Sequence, residues 1–206
     1  MKVGYGGKGR SVAGLSISPQ AEPHWKRLIE AASGNADLIL NLPNHIGTSK
    51  VVRASRRKAG MDITWVTDRI AVGGGIWTAD NMAKVATAGI THIIDMQIEF
   101  DDTPLAGPQG ISVCWNPVDD DFEPKPGEVF AHGVDFALAA LEEDGAKLFV
   151  HCAAGVHRAP MMTLALLGVL GWKLEDAMKL IEARRPAADF AEVYVNSVKR
   201  FLNGRS

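Results

Sequence analysis

The chain has 206 residues, 47% of them apolar or aromatic and 22% charged, a composition typical of a globular protein long enough to bury a substantial core. A formal net charge of −2 argues against binding nucleic acid or a membrane surface through a global field. No stretch approaches the roughly 20 apolar residues of a membrane span, and two cysteines are too few for a disulfide scaffold.

Met1-Lys2-Val3 runs into glycines and polar residues rather than an apolar signal segment, so no secretory leader is expected. Gly4, Gly6 and Gly9 have dinucleotide-fingerprint spacing but lack room for the strand that must precede it. Residues 22–32 place Trp25, Leu28, Ile29 and Ala32 on one helical face, and residues 37–42 suit a short strand. A basic run over residues 49–60 reads as a solvated surface or linker, with phosphate or partner binding as the alternative. We therefore treat residues 1–60 as an N-terminal extension and residues 61–206 as one domain.

From Met61 onward strand and helix signals alternate. Residues 70–72 form a strand end closed by three glycines; residues 78–88 suit a helix with Thr78 as N-cap and Gly89 as stop. Strands follow at 90–96 and 111–115, then an amphipathic helix at 127–141. A buried strand at 147–150, an apolar helix at 161–170, and helices at 174–184 and 189–202 complete the chain. The pattern predicts an α/β fold whose central mixed, mainly parallel sheet is flanked by helices.

The most informative stretch lies between the strand at 147–150 and the helix at 161–170. A strand that feeds a tight loop opening a helix aims backbone N–H groups and the positive helix end at one point, where an anion binds. The loop holds His151, Cys152, Ala153, Ala154, Gly155, Val156, His157 and Arg158. A helix N-terminus and a nearby arginine favour the thiolate, the nucleophilic form of cysteine. The planar fork of Arg158 matches two phosphate oxygens. Attack by Cys152 on a phosphate, forming a phosphocysteine, follows from that pairing.

The order His-Cys-x-x-Gly-x-x-Arg resembles the signature of cysteine-dependent protein tyrosine phosphatases. The segments VTDRIAVGGG, NMAKVATAGITHIIDM and GWKLEDAMKLIEARRP extend the likeness to dual-specificity phosphatases over residues 64–202. The resemblance implies hydrolysis of phosphomonoesters, with phosphotyrosine, phosphoserine and phosphothreonine in proteins as substrates and no metal or organic cofactor. It makes Asp120 the general acid and base; the neighbours Asp119 and Asp121 are alternatives, and repulsion among the three carboxylates raises at least one pKa. It also implies that His151 orders the loop. His157 reads as a surface residue of the loop, Cys114 as a core residue, and Arg184 and Arg185 as structural residues at a helix end. A nucleophilic Cys152 needs a reducing compartment, which points to the cytoplasm.

Two competitors remain. One is a phosphoinositide or RNA 5′-phosphate substrate, disfavoured by the uncharged Ala153, Ala154 and Val156. The other is a phosphate-binding module with weak turnover, suggested by Ala159, where relatives carry a hydroxyl that helps the thiolate depart. We expect phosphocysteine to accumulate and Ala159→Ser to raise turnover; unchanged burst and steady-state kinetics would contradict this.

Overall fold

A computed structural model describes residues 60–205. The expectations for residues 1–59 lie outside the described residues.

Five strands, β1 (Ile63–Trp65), β2 (Ile70–Gly73), β3 (His92–Asp95), β4 (Ser112–Trp115) and β5 (Leu148–His151), form one sheet in the order β1-β2-β5-β3-β4. β1 runs antiparallel to β2, and the other pairings are parallel. The sheet is thus mixed and mainly parallel, as the alternation of elements predicts. The helices are α1 (Ala79–Thr87), α2 (Thr103–Ala106), α3 (Gly127–Glu142), α4 (Arg158–Val169), α5 (Leu174–Arg184) and α6 (Glu192–Arg205). No described helix is long and apolar enough to cross a membrane.

The inner strands are buried on both faces, so their alternation sorts side chains between two cores rather than between core and water. On one face Ile70, Val72, Ile94, Leu148 and Val150 pack with residues of α3 to α6. On the other, Ala71, Ile93 and Phe149 pack with Met82 and Val85 of α1. α4 is the most enclosed helix: Arg158 through Leu167 are all buried. That agrees with its apolar surface on every side.

Several boundaries differ from the expected ones. α4 begins at Arg158 rather than residue 161, because the closing turn of the loop is already helical: Met161 N–H donates to the His157 carbonyl at 2.9 Å. Pro160 still occupies the first turn, where it costs no hydrogen bond. α6 begins at Glu192 rather than residue 189, since Asp189 N–H is engaged by the Val156 carbonyl at 2.9 Å. β1 and α2 were not anticipated; each is too short to carry a periodic signal. Thr78 does cap α1, accepting from Asn81 N–H at 3.2 Å, and Gly89 takes φ +82° just beyond it.

Candidate active site

In a parallel sheet the strand ends on one edge share a crevice, and ligands bind outside the carboxyl ends where the strand order changes direction. Here β5 lies between β2 and β3, and its end delivers Cys152. The end of β3 leads to Glu99, that of β4 to Asp120, and that of β2 to Gly73 to Gly75. Residues up to 79 positions apart in sequence meet because all leave the same edge.

Cys152 is 1% exposed, and its Sγ accepts the Gly155 N–H at 3.2 Å. The loop hangs from the β2 end through Cys152 N–H to the Gly73 carbonyl at 3.4 Å and Gly75 N–H to the Ala153 carbonyl at 3.1 Å. Among the described residues, the N–H groups of Ala153, Ala154, Val156 and His157 have no partner and are available to an anion. Gly155 takes φ +66°, and a Cβ there would lie 2.3 Å from Arg185 Nη2 and 2.5 Å from the Gly73 carbonyl. Only glycine fits both the conformation and the space.

Arg185 turns out to brace this loop, which its position at a helix end does not disclose. Its Nε donates to the Gly155 carbonyl at 2.7 Å and its Nη2 to the Ala154 carbonyl at 3.3 Å. The opposite side of the guanidinium grips Asp62 at 2.8 and 2.7 Å and Thr64 at 3.2 Å. Those Arg185 bonds hold the Asp62 carboxyl below its ordinary range. The structural reading of Arg185 is right, but its cause is this fork and not the helix dipole.

Glu99 is the residue that sequence reasoning missed. Its carboxylate receives Arg158 Nη1 at 2.9 Å and Nη2 at 2.8 Å, while Nη1 also donates to the Val118 carbonyl at 3.1 Å. Arg158 Nε makes no hydrogen bond among the described residues. Of five N–H donors, those left are Nε–H and one Nη2–H, which lie on the same edge of the planar group. Glu99 therefore fixes Arg158 with its side edge free for two oxygens of an anion. Burial would lower the Arg158 pKa, but the Glu99 bonds and the adjacent Cys152 more than offset it, so the group stays cationic.

The three consecutive aspartates separate in space. Asp120 Oδ2 lies 3.0 Å from His157 Nδ1 and 3.8 Å from Arg158 Nε, and its Oδ1 accepts the Tyr194 hydroxyl at 3.0 Å. Asp119 accepts the N–H of its neighbour Asp120 at 2.8 Å. Asp121 pairs with Lys125, whose hydrogen bond lowers its carboxyl pKa. The expected upward shift from mutual repulsion is thus not the outcome at Asp121, because a lysine neutralises it. His157, expected to be a surface residue, is 18% exposed and engages Asp120 directly.

Beneath the loop, His151 is fully buried and stacks on Phe149, with ring centroids 5.2 Å apart. Its Nε2 lies 3.2 Å from Asp102 Oδ2 and 3.7 Å from Asp95 Oδ1, without the alignment of a good hydrogen bond. Burial pushes His151 down to about 3, Asp95 up to about 7 and Asp102 up to about 6. These are the described residues whose ligand atoms converge closely enough to hold a metal. A neutral imidazole beside a protonated carboxyl accounts for the group equally without an ion. Cys114 is buried as expected, and burial pushes its thiol up to about 11.

Comparison with known proteins identifies the family of the chain. The family model described as "Dual specificity phosphatase, catalytic domain" matches residues 76–201, more than half of the chain. Protein tyrosine phosphatase type IVA 3 of Homo sapiens is 35% identical over 102 residues, covering 48% of this chain and 58% of that protein. Phosphoglucan phosphatase DSP4, amyloplastic, of Castanea sativa is 25% identical over 161 residues, covering 72% of this chain and 43% of the relative. The chain thus spans only about half the length of these relatives. Among solved structures, PTPMT1 in complex with PI(5)P aligns at TM-score 0.62 and 18% identity, covering 69% of this chain and 95% of that one. Human DUSP28 aligns at TM-score 0.60 and 19% identity, covering 69% and 96%. The chain belongs to the dual specificity phosphatase family, within the protein tyrosine phosphatase superfamily.

Proposed function

We propose that this phosphatase hydrolyses phosphomonoesters through a phosphocysteine on Cys152, with protein phosphotyrosine as its principal substrate and phosphoserine and phosphothreonine as further ones. The observation that carries the reading is the convergence on one loop of the Cys152 sulfur, unpaired backbone N–H groups and the free edge of Arg158. A bound phosphoryl group would receive hydrogen bonds from both the loop and Arg158. Cys152 Sγ attacks phosphorus, the P–O bond to the leaving group breaks, and Asp120 gives that oxygen a proton. Water then attacks phosphorus with Asp120 as base, the P–S bond breaks, and the Gly155 N–H steadies the departing thiolate.

Two features favour an aryl phosphate over a multiply charged one. Trp77 and Phe122, 43% and 53% exposed, stand beside the loop and offer apolar surface to a phenyl ring. The loop residues Ala153, Ala154 and Val156 carry no charge, and the exposed Asp189 carboxylate stands 3.3 Å from His157 of the loop, which disfavours polyanions such as phosphoinositides or RNA ends. The same exposed rings suit stacking on a sugar. Together with the broad match to a phosphoglucan phosphatase, they support phosphorylated glucan as a second reading.

The test is turnover of phosphopeptides, phosphoglucan, phosphoinositide and 5′-phosphorylated RNA by the wild type and Cys152→Ser. The reading expects Cys152-dependent hydrolysis, fastest on phosphotyrosine peptide. Binding without Cys152-dependent turnover on any of them would contradict it, and a preference for glucan would replace the substrate class.

A further inference from the structure

His157 lies within the loop with each ring nitrogen beside a carboxylate. Nδ1 is 3.0 Å from Asp120 Oδ2 and Nε2 is 3.3 Å from Asp189 Oδ2. The Asp189 side chain is 64% exposed, that of His157 18% and that of Asp120 29%, so the imidazole bridges an outer carboxylate and the one beside Arg158. The bridge is held at several points. Asp189 N–H is tied to the Val156 carbonyl at 2.9 Å, and the Phe122 ring meets the imidazole edge-on at 5.0 Å. Tyr194 donates to Asp120 Oδ1 and accepts the Phe122 N–H, each at 3.0 Å. The remaining charged neighbours are Arg158, with Nε 3.8 Å from Asp120 Oδ2, and Lys125, which lies 5.5 Å over the Tyr194 ring and pairs with Asp121.

We propose that His157 is the positioning residue that loads and unloads the proton of Asp120, with Asp189 fixing its tautomer. The proposal rests on the assignment of Asp120 as general acid. Asp120 Oδ2 is the oxygen nearest both His157 and Arg158, so it faces the imidazole and the phosphate side together. With the mobile proton on Nδ1, Asp120 is a carboxylate. When the proton crosses to Oδ2, the imidazole is neutral and still donates Nε2–H to Asp189. Asp120 passes the proton to the leaving oxygen as the P–O bond breaks and the S–P bond forms. In the second half-reaction water adds to phosphorus and the P–S bond breaks, the sulfur taking the electron pair. The proton from water returns through Asp120 to Nδ1. Ester and water become alcohol and phosphate, with no net change in the protein.

The experiment measures kcat/KM for aryl phosphates of increasing leaving-group basicity in the wild type, His157→Gln, Asp189→Asn, Asp120→Asn and the His157→Gln/Asp120→Asn double variant, each checked for an unchanged thermal transition. For His157→Gln we expect a loss that grows with leaving-group basicity to about 10–100-fold. Asp189→Asn should follow the same trend more weakly, and the double variant should be no slower than Asp120→Asn alone. His157→Ala should regain activity as imidazole is added. A uniform loss across the series, losses that multiply in the double variant, or no recovery with imidazole would overturn the proposal. If Asp120→Asn itself shows no leaving-group dependence, the assignment of the acid fails and the proposal with it. Dependence in Asp120→Asn alone removes only the role of His157.

Discussion

Glu99 decides how Arg158 can meet a phosphate. Its carboxylate holds the end of the guanidinium and leaves the side edge open. Hydrogen bonds to charged groups contribute ~1.5–3 kcal/mol, so Glu99→Gln should lower kcat/KM for an aryl phosphate by about 10–100-fold. Inorganic phosphate should inhibit the variant less strongly, which a competition assay measures. Asp102 makes a different prediction, about stability. Burial, followed by the nearby Asp101 charge, raises its carboxyl to about 6. A carboxyl raised in the fold contributes stability below the unfolded carboxylate range and loses it as pH rises through the folded value. Asn cannot ionise. Relative to the wild type, Asp102→Asn should therefore gain about 5 °C in melting temperature between pH ~4.5 and pH ~8. Thermal scans across that range check the sign.

At the scale of elements, the loop is held from two sides. The β2 end receives it through Gly73 and Gly75, and the end of α5 braces its carbonyls through Arg185. Lysine cannot reproduce five bonds from a planar fork. Asp62 is half exposed, so the ion pair itself is screened, and Arg185→Lys should lose about 1–3 kcal/mol, mainly through the carbonyl bonds lysine cannot remake. It should also lower kcat/KM, because the loop N–H groups would no longer converge. Calorimetry and steady-state kinetics on one preparation test both effects. This bracing was invisible in the sequence: Arg184 and Arg185 are chemically alike, and only the path of the chain carries Arg185 under the loop. His157 is a comparable case, since Asp120 lies 37 residues away and meets it only when β4 and β5 end on the same edge.

At the scale of the whole molecule, both hydrophobic cores are assembled, among the described residues, from residues between Met61 and Leu202. Residues 60–206 should accordingly fold as a unit and retain aryl phosphatase activity. A cooperative thermal transition and Cys152-dependent turnover in that fragment would bear this out; an unfolded fragment would mean that residues 1–59 complete the core. By itself the sequence determined the class of fold and located the loop that carries Cys152 and Arg158. Those signals are local: hydrophobic runs of strand and helix length, a helix start, and fixed spacing from His151 to Arg158 within one turn of chain. Tertiary structure alone decided which carboxylate holds Arg158, which of two adjacent arginines supports the loop, and which loop residue meets Asp120. Each depends on residues far apart in sequence whose meeting is set by strand order and by which sheet edge their loops leave. Hydrogen bonding acts over about 3 Å, and no spacing along the chain encodes that distance.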